Sequence, residues 1–318
     1  MRDASQTMQA AVIHPDADVP VVETVPVPRP GDGQVALEVH AVALNPVDRR
    51  VASGTHPTIR PQRPYVVGFE GVGRVLDDGA PRRVWWLGGH GTLAQRAVAD
   101  ADKLIEVPDG LSDDLAAAIG IAGMAAWLCL VYRGGMAAGD HVLVLGASGA
   151  VGRITVQLAR ILGASSVTAV ARSAGEDLLE LGADNVVAIP DDDLEGTLRR
   201  IRPEGYDLVI DPLFGPPGEA AVEAAAINGR IVVMGRAAGG SIRLNATVFE
   251  RGLTIVGHRN SATAHEPRRD AYTSVAEHAA AGRLRIDREV FDLDGVGEAW
   301  TKLAGGVRRK LVVTLPPV

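Results

Sequence analysis

Gly146, Gly149 and Gly152 follow directly on the apolar run His141-Val142-Leu143-Val144-Leu145, with Ala147, Ser148, Ala150 and Val151 filling the positions between them. Such an arrangement suits phosphate binding. Gly146 permits a tight turn, Gly149 lets backbone approach a pyrophosphate with no side chain between, and Gly152 lets a following helix pack closely on the strand. The free N–H groups at the start of that helix then face an anion. Two rival chemistries fail on spacing. The stretch lacks the Gly-Lys-Ser/Thr ending of an NTP-binding loop, and Gly146-Ala147-Ser148-Gly149 is one residue short of a nucleophile elbow. Ser148 therefore reads as a turn residue rather than a hydrolase nucleophile.

A phosphate-binding turn needs a strand behind it and a sheet around it, and the chain after His141 supplies the pattern. Strands are expected at His141 to Leu145, Val167 to Ala171, Asn185 to Ile189, Tyr206 to Asp211, Arg230 to Gly235 and Leu253 to Gly257. Helices are expected between them, at Ala150 to Leu162, Ala174 to Leu181, Leu194 to Ile201 and Pro217 to Ile227. Six strands in two βαβαβ halves are what a dinucleotide fold requires. From Met8 to Pro108 the texture differs: short β-rich runs separated by Pro and Gly clusters suit a small, irregular β-barrel-like domain. It changes again after Gly257, with a helix near Pro267 to Ala281, a strand around Val290, a helix at Val296 to Leu303 and a last strand at Leu311 to Leu315.

Composition bounds the partners. The chain has 318 residues, about twice a usual domain, so two domains are expected. A net charge of −7, with arginine pairs scattered among acids, argues against nucleic acid. Cys129 is the single cysteine and lies in the apolar run Met124 to Val131, which excludes an internal disulfide and a multi-cysteine zinc site. Residues 1–12 lack the basic-then-apolar order of a signal peptide, and no apolar stretch is expected to reach the roughly 18 residues that span a bilayer. A soluble cytoplasmic protein acting on a small molecule, without nucleic acid, membrane or metal, is the expectation.

The end of the second strand bears on the choice between NAD and NADP. An acid there would hold the ribose hydroxyls of NAD, whereas Ala169-Val170-Ala171-Arg172-Ser173 presents a cation and a hydroxyl. Arg172 and Ser173 thus favour NADPH; the alternative is that Arg172 caps a strand in solvent.

Several segments, in order, cover nearly the whole chain: Ala43-Leu44-Asn45-Pro46-Val47-Asp48, Tyr65-Val66-Val67-Gly68-Phe69-Glu70-Gly71-Val72-Gly73-Arg74-Val75, Gly91-Thr92-Leu93-Ala94-Gln95, Val107-Pro108-Asp109-Gly110-Leu111-Ser112, Leu181-Gly182-Ala183-Asp184, Asp207-Leu208-Val209-Ile210-Asp211 and Arg309-Lys310-Leu311-Val312-Val313. Together they resemble the zinc-independent medium-chain dehydrogenase/reductases of the quinone oxidoreductase branch. The resemblance implies an α/β protein: a GroES-like β-barrel domain formed by residues 1–118 and 258–318, and a Rossmann domain with a doubly wound parallel sheet at 119–257. The nicotinamide would lie in the cleft between them. It also implies that the Gly146 to Gly152 turn, Arg172, Ser173, Gly235 and Lys310 bind the cofactor, and that the protein is a homodimer through the edge strand at Leu253 to Gly257.

Departures from the pattern shape the expected chemistry. Zinc-dependent cousins carry a Cys and a Gly-His-Glu where this chain has Asn45 and Gly68-Phe69-Glu70. Without a Lewis acid, a simple ketone loses its usual alkoxide stabilisation, whereas a conjugated acceptor spreads charge into an enolate or quinol. Asn45 and Asp48 would line or support the substrate pocket. Relatives place tyrosines soon afterwards, where this chain offers Arg50 and His56. His56 is either a proton donor or carbonyl contact, or a wet loop histidine; Arg50 either pairs with a carboxylate or faces solvent. His90, in Gly88-Gly89-His90-Gly91, falls in a loop that relatives place near the cleft. The altered segment Ala80-Pro81-Arg82-Arg83-Val84 bears on the mouth of the site. The expected activity is NADPH-dependent reduction of quinones or α,β-unsaturated carbonyl compounds. The alternatives are a structural or RNA-binding relative that holds NADPH with little activity, and an enoyl reductase acting on a biosynthetic intermediate.

Overall fold

The computed structural model describes residues 6–76, 82–172, 176–306 and 308–316. The chain forms two compact units. One holds the chain through Ile121 together with Tyr272–Ala280 and the segment from Ile286 onward; the other holds Ala122–Ala271 and Ala281–Arg285. Residues 258–271 thus group with the nucleotide-binding unit, not with the barrel as expected. The cause is local: after the strand Thr254–Gly257 the chain stays tied to the parallel sheet, His258 N–H donating to the Val233 carbonyl at 2.8 Å.

The first unit is β-rich. A small sheet sets Thr7–Ile13 between Val21–Pro26 and Tyr65–Val66. The larger sheet runs Arg288–Phe291, Lys310–Thr314, Gln34–Leu44, Glu70–Val75, Arg83–Leu87, Ile105–Glu106, with Arg96–Asp100 also paired to Gln34–Leu44. The C-terminal strand therefore completes a sheet begun more than two hundred residues earlier. It runs antiparallel to Gln34–Leu44 in the register Leu311↔Leu44 to Thr314↔Ala41, which sets Lys310 beside Asn45. Leu311, Val312 and Val313 are all buried, as a strand covered on both faces requires. The core gathers Trp86, Trp300, Leu37, Leu93 and Val313.

The second unit is the doubly wound sheet. Six parallel strands lie in the spatial order Asn185–Ala188, Ser166–Ala171, His141–Val144, Tyr206–Asp211, Ala225–Val233, Thr254–Gly257, which is 3-2-1-4-5-6 in chain order. All six strands read from the sequence are present. One helix is shorter than expected: Gly215–Glu223 replaces Pro217 to Ile227, because Ala225 and the residues after it are drawn into the fifth strand. Alanine favours a helix, but pairing decides here. Ala225 takes up register with Tyr206, a bulge intervenes, and Asn228 turns through φ 61° before Arg230 pairs with Leu208.

The apolar run around Cys129 is longer than expected. Asp113–Trp127 is α-helical and continues as a π-helix over Leu128–Arg133, 21 residues that are long and apolar enough, by length and composition, to cross a membrane. Its most apolar window is 72% buried, the situation of a core helix. Cys129 is buried within it, and burial pushes its thiol up to about 12, leaving it protonated and unreactive.

At the opening glycines the backbone behaves as their spacing requires. Gly146 has φ +62°, a left-handed turn that other residues adopt only under strain. A Cβ on Gly152 would lie 2.5 Å from the Gly146 carbonyl oxygen and 2.6 Å from Ala147 Cα, so the helix Ala150–Ile161 approaches the turn more closely than any side chain allows. A Cβ on Gly149 would meet only the Gly146 oxygen, at 3.4 Å. Gly152→Ala is therefore expected to lower stability by about 1–3 kcal/mol, and Gly149→Ala to stay within about 0.5 kcal/mol of the parent, both read from urea denaturation midpoints.

Candidate active site

In the barrel unit the site is built around a carboxylate with no contact to water. Glu70 begins the strand Glu70–Val75 and is 0% exposed. Its carboxylate accepts from Asn45 Nδ2 at 2.6 Å, Trp85 Nε1 at 2.8 Å and the Ile121 backbone N–H at 2.8 Å. Lys310 Nζ stands 3.9 Å away and donates to Asn45 Oδ1 at 2.6 Å and to the Leu44 carbonyl at 3.2 Å. Asn45 thus bridges an anion and a cation, donating to the first and accepting from the second. Burial pushes the Glu70 carboxyl up and the Lys310 ammonium down, while their mutual attraction opposes both shifts. The carboxylate also fixes a distant position: a Cβ on Gly120 would lie 1.9 Å from Glu70 Oε2, so the helix carries a glycine at its point of closest approach.

Asn45 caps the helix Pro46–Ala52, whose third residue is Asp48. The Asn45 N–H donates to Asp48 Oδ2 at 2.8 Å. Asp48 is 4% exposed, and its carboxyl is pushed up to about 7, chiefly by burial and further by Glu70, with the Asn45 N–H and Lys310 pulling it back. It faces a crevice too tight to admit a water molecule, bordered by Tyr65, Val67, Phe69 and His90.

The structure brings Asn45, Asp48 and Lys310 together and sets the other expected barrel residues apart. Lys310, expected at the cofactor, has its ammonium committed inside the barrel. Arg50 is exposed on the outer turn of the helix. His56 is not a wet loop residue: it is 5% exposed, and Nδ1 accepts from the Ile59 backbone N–H at 3.0 Å, so the ring holds its own loop in place. Glu70 and Tyr65 carry no role legible from their place in the sequence. The one signal for Glu70 is an acid opening a strand whose other inward positions are apolar or glycine, a residue that must find partners if buried.

In the nucleotide-binding unit the Gly146 to Gly152 turn joins strand to helix, and Gly149, Ala150 and Val151 are partly exposed at the helix start. Gly235 abuts the neighbouring loop: a Cβ there would lie 2.3 Å from the Pro212 carbonyl oxygen. Arg172 follows the strand Ser166–Ala171, is exposed, and lines a cavity of about 850 Å³ with Ile189, Pro190, Ala238 and Arg243. Several carboxylates share that wall, and most are already matched: Asp193 by Arg200, Glu195 and Glu223 by Arg199, Glu219 by Arg243. Arg172 has no ion-pair partner among the described residues. Ser173 and residues 80–81 of the segment at the mouth of the site lie outside them.

Comparison with known proteins agrees with the fold of both units. Residues 31–109 match the alcohol dehydrogenase GroES-like domain and residues 150–277 the family described as zinc-binding dehydrogenase. Quinone oxidoreductase from Sus scrofa is 30% identical over 244 residues, which are 73% of this chain and 73% of that protein. The chain belongs to the medium-chain dehydrogenase/reductase superfamily. A mycocerosic acid synthase-like polyketide synthase of Mycolicibacterium smegmatis is 29% identical over 99% of this chain, which spans only 16% of that protein's length. The crystal structure of AibC superposes with a TM-score of 0.88 at 28% identity, covering 98% of this chain and 96% of that one.

The medium-chain dehydrogenase/reductases are oxidoreductases that take a pyridine nucleotide. The turn fits the group, since Gly149 leaves open backbone where a pyrophosphate would lie and the helix start offers N–H groups. Among the described residues no three His, Cys, Asp or Glu side chains gather as metal ligands.

Asp48 gives the barrel a pH signature. Its folded-state carboxyl titrates near 7 against an ordinary 3.8, so between those values the folded protein holds a proton that the unfolded chain has released. Stability from this group falls as pH rises through that window and is level above it. Asp48→Asn removes the titration. The melting temperature of the variant relative to the parent is expected to climb from about pH 4 to about pH 7 and then level off, by calorimetry at stepped pH. A difference that does not change with pH would show that Asp48 is ionised in the fold.

Proposed function

We propose that the protein is a zinc-independent, NADPH-dependent reductase of quinones or α,β-unsaturated carbonyl compounds. The observation that carries this reading is the state of Asn45. It stands where zinc-dependent cousins carry a cysteine, and both ends of its amide are engaged, Nδ2 by Glu70 and Oδ1 by Lys310. The position of the cousins' histidine is Phe69, which is buried and has no ligand atom. Neither a thiolate nor an imidazole stands at these two positions, which suits a conjugated acceptor whose incoming charge is delocalised without a Lewis acid. The bound nicotinamide would supply the hydride; Gly146 to Gly152 would hold its pyrophosphate, and Arg172 the 2′-phosphate.

The likeness to a polyketide synthase over nearly all of this chain supports, within the same chemistry, an enoyl thioester as the conjugated substrate. Stopped-flow mixing with NADPH and a panel of quinones, enones, enoyl thioesters and saturated ketones tests the reading. Oxidation of NADPH by the conjugated acceptors is expected; turnover confined to saturated ketones would overturn it.

Cofactor choice rests on Arg172. A guanidinium bonded to a 2′-phosphate contributes about 1.5–3 kcal/mol, so Arg172→Ala is expected to weaken NADPH roughly ten- to a hundredfold and leave NADH little changed. Raised salt should blunt the preference of the parent, because the contact is exposed. Equal losses for both cofactors in binding titrations would assign Arg172 to the fold instead.

A homodimer is part of the same proposal. Thr254–Gly257 is the edge strand of the parallel sheet, and Ile227 and Phe249, 74% and 77% exposed, lie on segments that border it. Two-fold pairing along that edge would cover them. Light scattering at micromolar concentration is expected to give twice the chain mass of 33.2 kDa, and a monomer would remove the dimer.

A further inference from the structure

The strand Ser166–Ala171 runs into Arg172, and the short helix Glu176–Glu180 follows. The second residue of that helix is an acid, Asp177, five positions after Arg172. Dinucleotide folds that take NAD place an acid near the end of this strand, where it holds the ribose hydroxyls and its charge opposes a 2′-phosphate. One short segment thus carries a cation and an acid that favour opposite cofactors.

The acid is matched from below. Arg153, the residue after Gly152, donates through Nη1 to the Asp177 carboxylate. Its side chain is 7% exposed, against 34% for that of Asp177. A guanidinium so deeply buried needs a compensating charge, and Asp177 supplies it. The helix that carries Arg153 gains nothing from the cation itself. Arg153 stands in the first turn of Ala150–Ile161, the end at which a positive charge opposes the helix dipole. The glycine spacing of the phosphate turn does not call for it either, since that pattern ends at Gly152. What the residue does accomplish is to bind the helix that opens at the phosphate turn to the helix that follows Arg172, and to cancel the acid of the second.

We propose that Arg153 is a positioning residue for cofactor choice: it neutralises Asp177, so that the charge presented after the second strand is that of Arg172. This role rests on the NADPH reading above. Without Arg153, a carboxylate one-third exposed would be uncovered in the segment that receives the 2′-phosphate, and it would favour the free ribose hydroxyl of NADH.

The test is fluorescence titration of the full chain with NADPH and with NADH, read as the ratio of the two dissociation constants. Arg153→Met uncovers the acid and is expected to move the ratio about three- to tenfold toward NADH. Asp177→Asn leaves the cation uncompensated and is expected to move it by a similar factor toward NADPH. The double variant carries neither charge, and its ratio is expected to return to within about twofold of the parent. A pair that only fastened two helices together would weaken both cofactors alike and leave the ratio in place. Ratios that stay at the parent value in both single variants, or that move in the same direction, would therefore overturn the proposal. Should Arg153→Met fail to fold, the partly exposed Asp177 still decides it, and an unmoved ratio in Asp177→Asn would overturn it. A parent that prefers NADH, with the single variants still moving the ratio in opposite directions, would remove the NADPH reading and leave the role of Arg153 standing.

Discussion

The barrel unit depends on a buried ionic cluster of Glu70, Asn45 and Lys310, since no part of it is stable alone. An isolated carboxylate or ammonium in this core would cost several kcal/mol. Three hydrogen bonds to Glu70 and two from Lys310 supply the compensation, with Asn45 making one of each kind. Those bonds tie together a helix start near residue 45, a strand start at 70, a helix near 121 and the final strand at 310. The register of Lys310–Thr314 against Gln34–Leu44 delivers the ammonium to its partner, and a slip of one residue would turn it to the opposite face.

From that cluster the site follows outward. Asn45 begins a helix because its own N–H is capped by Asp48, and the same cap uses one carboxyl oxygen while the other has no hydrogen-bond partner among the described residues. Burial raises the Asp48 carboxyl, and Glu70, one layer behind, adds to that instead of pairing with it. A structural anion thereby shapes the chemistry of a residue it does not bond. Gly120 and Trp85 belong to the same arrangement, one by leaving room for the carboxylate and the other by donating to it.

The nucleotide-binding unit has a simpler logic. Its central strand ends in a left-handed glycine, its helix begins at Gly149 and presses on the turn at Gly152, and the six-strand order places this turn beside the reversal of the sheet. Arg172, at the end of the adjacent strand, has no ion-pair partner among the described residues, while most acids sharing its wall are matched by other arginines.

Much of this was legible in the amino-acid sequence, because local patterns specify local outcomes. Apolar runs bounded by turn residues located all six strands of the parallel sheet, and glycine spacing located the phosphate turn, since only glycine meets those steric limits. The absence of Cys and His at positions 45 and 69 was equally plain. What the sequence left open depends on partners far along the chain. Alanines 225 and 226 read as helix until pairing with Tyr206 and its neighbours made them strand, and His56 read as solvated until its loop folded over it. Lys310 looked available to a phosphate, yet strand register set it beside Asn45 and Glu70, some 265 and 240 positions away. Asp48 and Tyr65, ordinary residues in the chain, were buried by tertiary packing with one oxygen of each lacking a hydrogen-bond partner among the described residues.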